Sequence, residues 1–169
     1  MVQCINCVGC DPNAVTAGDS KHWCSFNASK VTTPIEDEVV LSSGIALLRE
    51  AAEGLKEDPP RPFFLGVGFH KPHMPFYFPD EYGELYPIET VLPPKHPKVP
   101  EGMPLVAWHE GDFSNSWGHP TPDSATFRRA YYSAVSYTDH HIGALLKELD
   151  NLGLRETTVV AVMGDHGWQ

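Results

Sequence analysis

Residues 62–73 read PFFLGVGFHKPH, and this stretch decides which fold class the sequence predicts. Residues 62–69 are an almost continuous apolar run, which is typical of a strand covered on both faces within a parallel sheet. Residues 157–163, TTVVAVM, form a second run of this kind, rich in β-branched residues. Each run leads directly into a polar cluster, HKPH after the first and GDHGW after the second. We therefore expect two buried strands that end on polar side chains.

Two helical segments alternate with these strands. The sequence TPIE at residues 33–36 places an N-cap, a first-turn proline and a capping-box glutamate in order, and the helix stops before Asp58. A second helix is predicted from residue 123 or 124 to about residue 152, with Gly153 at its C-cap. Residues 74–121 have no clear period and are predicted to be a long functional loop. This order predicts an α/β fold with a mostly parallel sheet flanked by helices.

The four cysteines all lie in the first 24 residues, so residues 1–32 are predicted to be a cysteine-containing loop region. Cys4, Cys7 and Cys10 have the spacing of a metal knuckle, which would need a fourth ligand. The other interpretation is a disulfide that joins Cys24 to one of the three, with Cys10 as the best partner. The glycosylation sequon at Asn27 favours the disulfide, because both features suit an oxidising compartment.

The composition limits the kinds of partner. The chain has 169 residues, with 12 basic and 22 acidic side chains and a formal net charge of −10. This acidity argues against nucleic acid as the main partner, so a polyanionic substrate would have to meet local basic groups. No apolar run approaches the roughly 20 residues of a membrane span, and the start MVQCINCVGC has no signal-peptide pattern.

The polar clusters at the two strand ends are the candidate site. In an open α/β sheet ligands gather at the carboxyl ends of the strands. This placement would bring His70, Lys71 and His73 together with Asp165 and His166. The cationic groups would form an anion-binding site within an acidic chain, and the carboxylate and imidazole could contribute to a metal site.

A histidine pair on the second predicted helix is a different case. His140 and His141 follow Asp139 and have no i, i+4 partner of a metal-binding type. We interpret them as surface or hydrogen-bonded helix histidines and assign them no role.

Three blocks of the sequence resemble the sulfatase family, in particular iduronate-2-sulfatase and its close relatives. They are PFFLGVGFHKPHMPFYFPDEYGELYP at residues 62–87, RRAYYSAVSYTDHHIGALLKELDNLGL at 128–154 and TTVVAVMGDHGWQ at 157–169. The blocks occur in the family's order and at similar separations. The resemblance implies an alkaline phosphatase-like fold, in which residues 33–169 would be part of the catalytic α/β domain, incomplete at both ends.

The resemblance also implies roles for individual residues. Asp165 and His166 would be the calcium-side ligands, and because calcium prefers oxygen ligands, contact with the sulfate is the alternative for His166. A histidine of the HKPH block, His73 or His70, would bind or protonate the sulfate ester, and the His-x-Pro pattern favours His73. Lys71 and Trp168 would contact the substrate, and Trp168 would do so near the sugar.

The nucleophile is the main departure from the family pattern. Sulfatases of this class convert a cysteine in a Cys-x-Pro-Ser-Arg or similar motif to formylglycine, whose hydrate attacks sulfur. No cysteine here is followed by that pattern. We therefore expect that this chain alone has no sulfatase activity and that the formylglycine comes from a cysteine in the remainder of a sulfatase chain.

The implied reaction is removal of a 2-O-sulfate from a uronic acid of heparan or dermatan sulfate. It implies a lysosomal or secreted glycoprotein in glycosaminoglycan degradation, with a signal peptide outside these residues. Two alternatives remain at this point. One is a phosphate-ester hydrolase of the same superfamily, and the other is a non-catalytic binding protein whose cysteine knuckle holds zinc.

Overall fold

The chain forms two compact units, one drawn from residues 1–31 and 73–134 and the other from residues 32–72 and 135–168. The computed structural model describes residues 23–26, 28, 35–74, 76–92, 95, 101–104, 124–165 and 167. In chain order its elements are β1 (Trp23–Phe26), α1 (Glu36–Gly54), β2 (Phe76–Pro79), α2 (Asp80–Glu84), a 3₁₀ turn (Ile88–Thr90), α3 (Ser124–Asn151) and a second 3₁₀ turn (Arg155–Thr157). Helix α3 contributes residues to both units.

Helix α1 begins two residues later than the sequence pattern predicts. Its N-cap residue is Ile35, which makes no side-chain capping hydrogen bond, and acidic residues fill the first turn. Carboxylates near a helix N-terminus are favourable because they oppose the positive end of the helix dipole. The helix ends at Gly54 and its buried residues fall on one face, which confirms the predicted amphipathic helix.

The second unit is packed around α1 and the later part of α3. A Cβ placed on Gly44 would lie 3.3 Å from side-chain atoms of both Leu145 and Val67, so the absence of a side chain allows close packing there. Leu48 of α1 and Leu149 of α3 are buried in the core. An ion pair joins the helices at the surface, with 2.7 Å between Arg49 Nε and Glu148 Oε1. Because water screens a surface ion pair of this kind, it adds little to the stability.

The bounds predicted for the second helix are confirmed by the structure, in which this helix is α3. It runs from Ser124 to Asn151 and is followed by Gly153 at φ 71°. The N–H of Gly153 donates to the carbonyl of Asp150, and the N–H of Leu154 donates to that of Leu149. These two bonds form a Schellman motif, which favours glycine because its φ is positive.

The first unit contains the parallel pair β1 and β2, in which Trp23 pairs with Phe76 and Phe26 with Pro79. Phe76 is fully buried and makes an edge contact with Phe127 of α3, with 5.1 Å between the ring centroids. Strand β2 and helix α2 occupy the start of the segment that we predicted to be an irregular loop. That prediction is therefore wrong for residues 76–84, and most of residues 93–121 lie outside the described residues.

Neither predicted strand forms in the described structure. Residues 62–69 and 157–163 pair with no neighbour there, and Phe64 and Met163 are 97% and 93% exposed. Strand propensity mainly reports how well a side chain packs on a pleated, half-buried surface, so it needs a neighbouring strand to take effect. The predicted mostly parallel sheet is thus not confirmed, although the chain does combine helices with a short parallel pair. Neither long helix in the described ranges has the apolar length required to cross a bilayer.

Candidate functional site

The HKPH segment is held to helix α1 by one buried carboxylate. Asp37 lies in the first turn of α1 and is 1% exposed. Its Oδ1 accepts a hydrogen bond from the backbone N–H of His70 at 2.8 Å, and its Oδ2 accepts one from the N–H of Lys71 at 3.0 Å. Two consecutive peptide N–H groups therefore point at the same carboxylate.

Helix α3 holds the same turn from the carbonyl side. The hydroxyl of Thr138 donates to the carbonyl of Lys71 at 3.1 Å. One helical turn away, His141 stacks on Phe69 with 5.4 Å between the ring centroids. It also contacts Tyr137 at 4.4 Å between ring centroids, and the Tyr137 hydroxyl donates to Glu38 Oε1 at 2.9 Å. Phe69 and the carbonyl of Lys71 are thus held by packing and hydrogen bonding within the second unit.

His141 corrects the interpretation of the helix histidines. His140 is exposed as expected, but His141 is 2% exposed and its Nδ1 has no hydrogen-bond partner among the described residues. Burial lowers the pKa of His141, and the nearby His140 lowers it further, whereas Asp37 and Glu38 oppose this. Removal from water disfavours the charged imidazolium, which is why burial lowers this pKa.

Lys71 is buried next to the same carboxylate. It is 8% exposed, and burial lowers its pKa, while the charges of Asp37 and Glu36 act in the opposite direction. A buried ammonium is costly unless an anion lies close to it. Asp37 therefore accepts from two backbone donors and also provides the larger of the two negative charges that act on this lysine.

The two candidate histidines have exposed side chains. His70 belongs to the second unit, whereas His73 belongs to the first unit. The Nδ1 of His73 hydrogen bonds to the carbonyl of Met74. Because a carbonyl only accepts, Nδ1 carries a proton, and in the neutral ring only Nε2 can take up another one.

The other predicted site residues are only partly placed. Asp165 is exposed in the second unit, and His166 and Trp168 lie outside the described residues. Cys10 and Asn27 also lie outside them, and of Cys24 only the backbone, in β1, is described. The described ranges contain no group of three or more His, Cys, Asp or Glu side chains suited to a metal ion. Calcium takes about six to eight oxygen ligands, so Asp165 alone does not form a calcium site there.

Comparison with protein families decides what kind of protein carries this turn. The Sulfatase family model matches residues 13–169. The chain belongs to the sulfatase family. This sulfatase chain is 39% identical to human iduronate 2-sulfatase over 120 residues, which are 63% of the chain and 22% of that protein.

More distant sulfatases match as well. Identity is 31% over 114 residues to a sulfatase of Formosa agariphila, covering 64% of the chain and 22% of that protein. It is 25% over 175 residues to a choline-sulfatase of Rhizobium meliloti, covering 94% of the chain and 33% of that protein. The chain spans about a fifth of the length of the iduronate 2-sulfatases it matches, 22% in human and mouse alike. The predicted resemblance is confirmed, and the family is one of alkaline phosphatase-like α/β folds.

Asp37 is the residue of this site that the sequence pattern did not single out. Its position in an acidic first turn is explained by the helix dipole alone. The available signal was its spacing, because Asp37 precedes the buried residues Gly44 and Leu48 by 7 and 11 positions and so shares their helix face. A carboxylate on an apolar helix face has to meet hydrogen-bond donors, because burying it without them is costly.

Proposed function

We propose that this chain is part of a sulfuric ester hydrolase that removes the 2-O-sulfate from a uronic acid of heparan or dermatan sulfate. The observation that carries the proposal is the family match over residues 13–169, together with 39% identity to human iduronate 2-sulfatase. The anchored turn at His70 and Lys71 supports it, since exposed imidazole and buried ammonium groups suit an anionic ester.

In the proposed reaction the S–O bond to the sugar breaks and its electron pair goes to the sugar oxygen. That oxygen needs a proton, because an alkoxide is a poor leaving group. We assign this proton to His73, with His70 as the other candidate. The Met74 carbonyl supports His73, because it fixes the proton on Nδ1 and so makes Nε2 the nitrogen that gains and loses the transferred proton.

Lys71 is the proposed sulfate-binding cation, and Trp168 the proposed sugar contact. Because Lys71 is buried, it would act on the sulfate charge from beneath the turn rather than as a flexible surface side chain. A formylglycine made from a cysteine outside this chain would supply the attacking group. Asp165 and His166 are the proposed ligands for calcium, together with residues from outside the described ranges.

The surrounding protein follows from the same proposal. Residues 33–169 would form part of a catalytic α/β domain with a mostly parallel sheet, in which residues 62–69 and 157–163 would find strand partners. Residues 1–32 would be a loop region with a disulfide between Cys10 and Cys24 and a glycan on Asn27. These two modifications fit a lysosomal or secreted enzyme.

The test is a substrate comparison on the full-length protein that carries this chain. Release of inorganic sulfate is measured from a disaccharide with a 2-O-sulfated iduronic acid and from one with a 6-O-sulfated glucosamine. The matching 4-nitrophenyl sulfate and phosphate esters are assayed in parallel. We expect the 2-O-sulfated disaccharide to have the highest kcat/KM. Preference for the glucosamine sulfate would refute the uronic acid assignment, and preference for the phosphate ester would refute the sulfatase assignment.

A further inference from the structure

The two bonds from Asp37 fix more of the backbone than a single hydrogen bond would. The N–H groups of His70 and Lys71 lie on successive peptide planes, and each donates to a different oxygen of the carboxylate. Fixing two successive planes also fixes the φ and ψ of the residue between them, which is His70. The direction in which the His70 side chain leaves the backbone is therefore set by the position of Asp37.

A third bond completes the constraint. The carbonyl of Lys71 accepts from the hydroxyl of Thr138, so the turn is tied to α1 through its N–H groups and to α3 through its carbonyl. The two side chains of the turn then differ sharply, because that of His70 is exposed and that of Lys71 is buried. The anchored backbone thus sends the imidazole of His70 outward and keeps the ammonium of Lys71 beneath it.

The chemistry of Asp37 is not explained by helix formation. A first-turn carboxylate that only interacts with the helix dipole is equally effective on the solvent side, as Glu36 and Glu38 are. Burial removes the water that would solvate a carboxylate, and this becomes tolerable when charge-assisted hydrogen bonds replace that water. The buried acid is therefore placed where the turn, rather than the helix, requires an acceptor.

We propose that Asp37, assisted by Thr138, is a positioning residue that sets the directions of His70 and Lys71 toward the sulfate ester. This inference rests on the proposed function for its chemical meaning, but the geometric part can be measured without any substrate. Asp37 acts through the backbone of the turn and does not touch the reacting atoms.

The test uses Asp37→Asn in the full-length protein. The substitution is nearly isosteric, but one carboxylate oxygen becomes an NH₂ group that cannot accept from a peptide N–H. Glu38→Gln is the matched control, since it neutralises the neighbouring carboxylate, which bonds to Tyr137 and makes no bond to the turn. We expect kcat for the sulfated disaccharide to fall by about 100-fold in Asp37→Asn, as for a misplaced reacting group, with KM changed less than about threefold.

Amide hydrogen exchange gives a readout that does not depend on activity. In the parent protein the His70 and Lys71 amides are expected to be protected, and in Asp37→Asn their exchange is expected to become roughly tenfold faster or more, with little change elsewhere. Equal exchange in parent and variant would overturn the proposal. So would a loss of activity that only follows the folded fraction, with kcat per folded molecule unchanged.

Thr138→Val keeps the test decisive if Asp37→Asn does not fold. It removes one hydroxyl and leaves the shape of the side chain, and we expect a smaller fall in kcat with KM again nearly unchanged. An unchanged kcat in a folded Thr138→Val protein would overturn the proposal. A parent protein that releases sulfate from no substrate would refute the proposed function instead, and the exchange data would then decide on the turn alone.

Discussion

The sharpest test of the proposed reaction is to separate the roles of the two exposed histidines, His70 and His73. We consider His73→Gln and His70→Gln, each made singly in the full-length protein. Glutamine keeps a polar side chain that can hydrogen bond but has no group that exchanges a proton near neutral pH. His140→Gln serves as the matched control, because His140 is an exposed histidine on α3 with no proposed role.

The structure separates the expected effects on stability and on activity. Both His70 and His73 have exposed side chains, so either substitution is expected to change the free energy of unfolding by no more than about 0.5 kcal/mol. A general acid contributes about 10²-fold to 10⁴-fold to the rate. At roughly 1.4 kcal/mol per tenfold, this corresponds to about 3 to 5 kcal/mol of barrier. The loss of activity expected on removal of the acid is therefore too large to result from the small change in the free energy of unfolding.

The assay compares two leaving groups. A sugar hydroxyl needs a proton as it leaves, whereas 4-nitrophenolate is a stable anion and needs none. We expect His73→Gln to lower kcat for the sulfated disaccharide by about 10²-fold or more, and to lower kcat for 4-nitrophenyl sulfate much less. His70→Gln is expected to lower kcat for both substrates to a similar extent, because it would remove a positioned contact to the sulfate that both share.

Two results would refute this assignment. If His73→Gln retains disaccharide turnover within about threefold of the control, His73 is not the acid. If it loses activity equally on both substrates, its role is binding or positioning rather than proton transfer. The reverse pattern in His70→Gln would move the acid role to His70.

Three further predictions concern the stability of the two units. Because burial lowers the pKa of His141, the folded state takes up a proton less readily than the unfolded state, whose pKa is near 6.5. The free energy of unfolding should then fall as the pH drops from about 6.5 toward the lowered pKa. Three neighbours also affect that pKa: Asp37 and Glu38 raise it, and His140 lowers it. His141→Phe should remove this part of the pH dependence in urea titrations, and an unchanged pH dependence would contradict the assignment. The guanidinium of Arg129 donates to two carbonyls of the segment after β2, each at 2.7 Å, so Arg129→Ala should destabilise the protein by about 2 to 4 kcal/mol. Thermal unfolding checks this against Arg155→Ala, an exposed residue for which a shift above about 0.5 kcal/mol is not expected. Gly153→Ala should cost about 1 kcal/mol because its φ is positive, whereas Gly143→Ala, inside α3 with open space around it, should stabilise by about 0.5 to 1 kcal/mol. If both substitutions change the free energy of unfolding in the same direction, the conformation at Gly153 is not the one described.

The sequence predicted best where the signal is local. The bounds of α3 and the glycine that ends it were predicted correctly, because amphipathic spacing and a C-cap glycine act over a few residues. The start of α1 was predicted two residues too early, since the helix begins at Glu36 with Ile35 as its N-cap, and residues 33 and 34 of the capping-box pattern lie outside the described residues. Helix ends fray, so end points that differ by one or two residues are not distinguished by a local sequence pattern.

The sequence predicted least where the outcome depends on distant partners. The apolar runs at residues 62–69 and 157–163 have the composition of buried strands, yet they are unpaired in the described structure. Pairing depends on a neighbouring strand, and composition cannot say whether one is there. The pair that does form joins residues 23–26 to residues 76–79, a segment whose proline and aromatic content gave no strand signal.

The sequence by itself determined the family, the two long helices and the cationic HKPH segment, because motifs and helical periodicity are written in neighbouring residues. The tertiary structure decided what holds that segment in place. Asp37 lies 33 residues before His70 in the sequence and Thr138 lies 67 residues after Lys71, and the buried His141 packs against Phe69 and Tyr137. A buried carboxylate is stable only where hydrogen-bond donors face it, and only the folded chain brings such donors to Asp37.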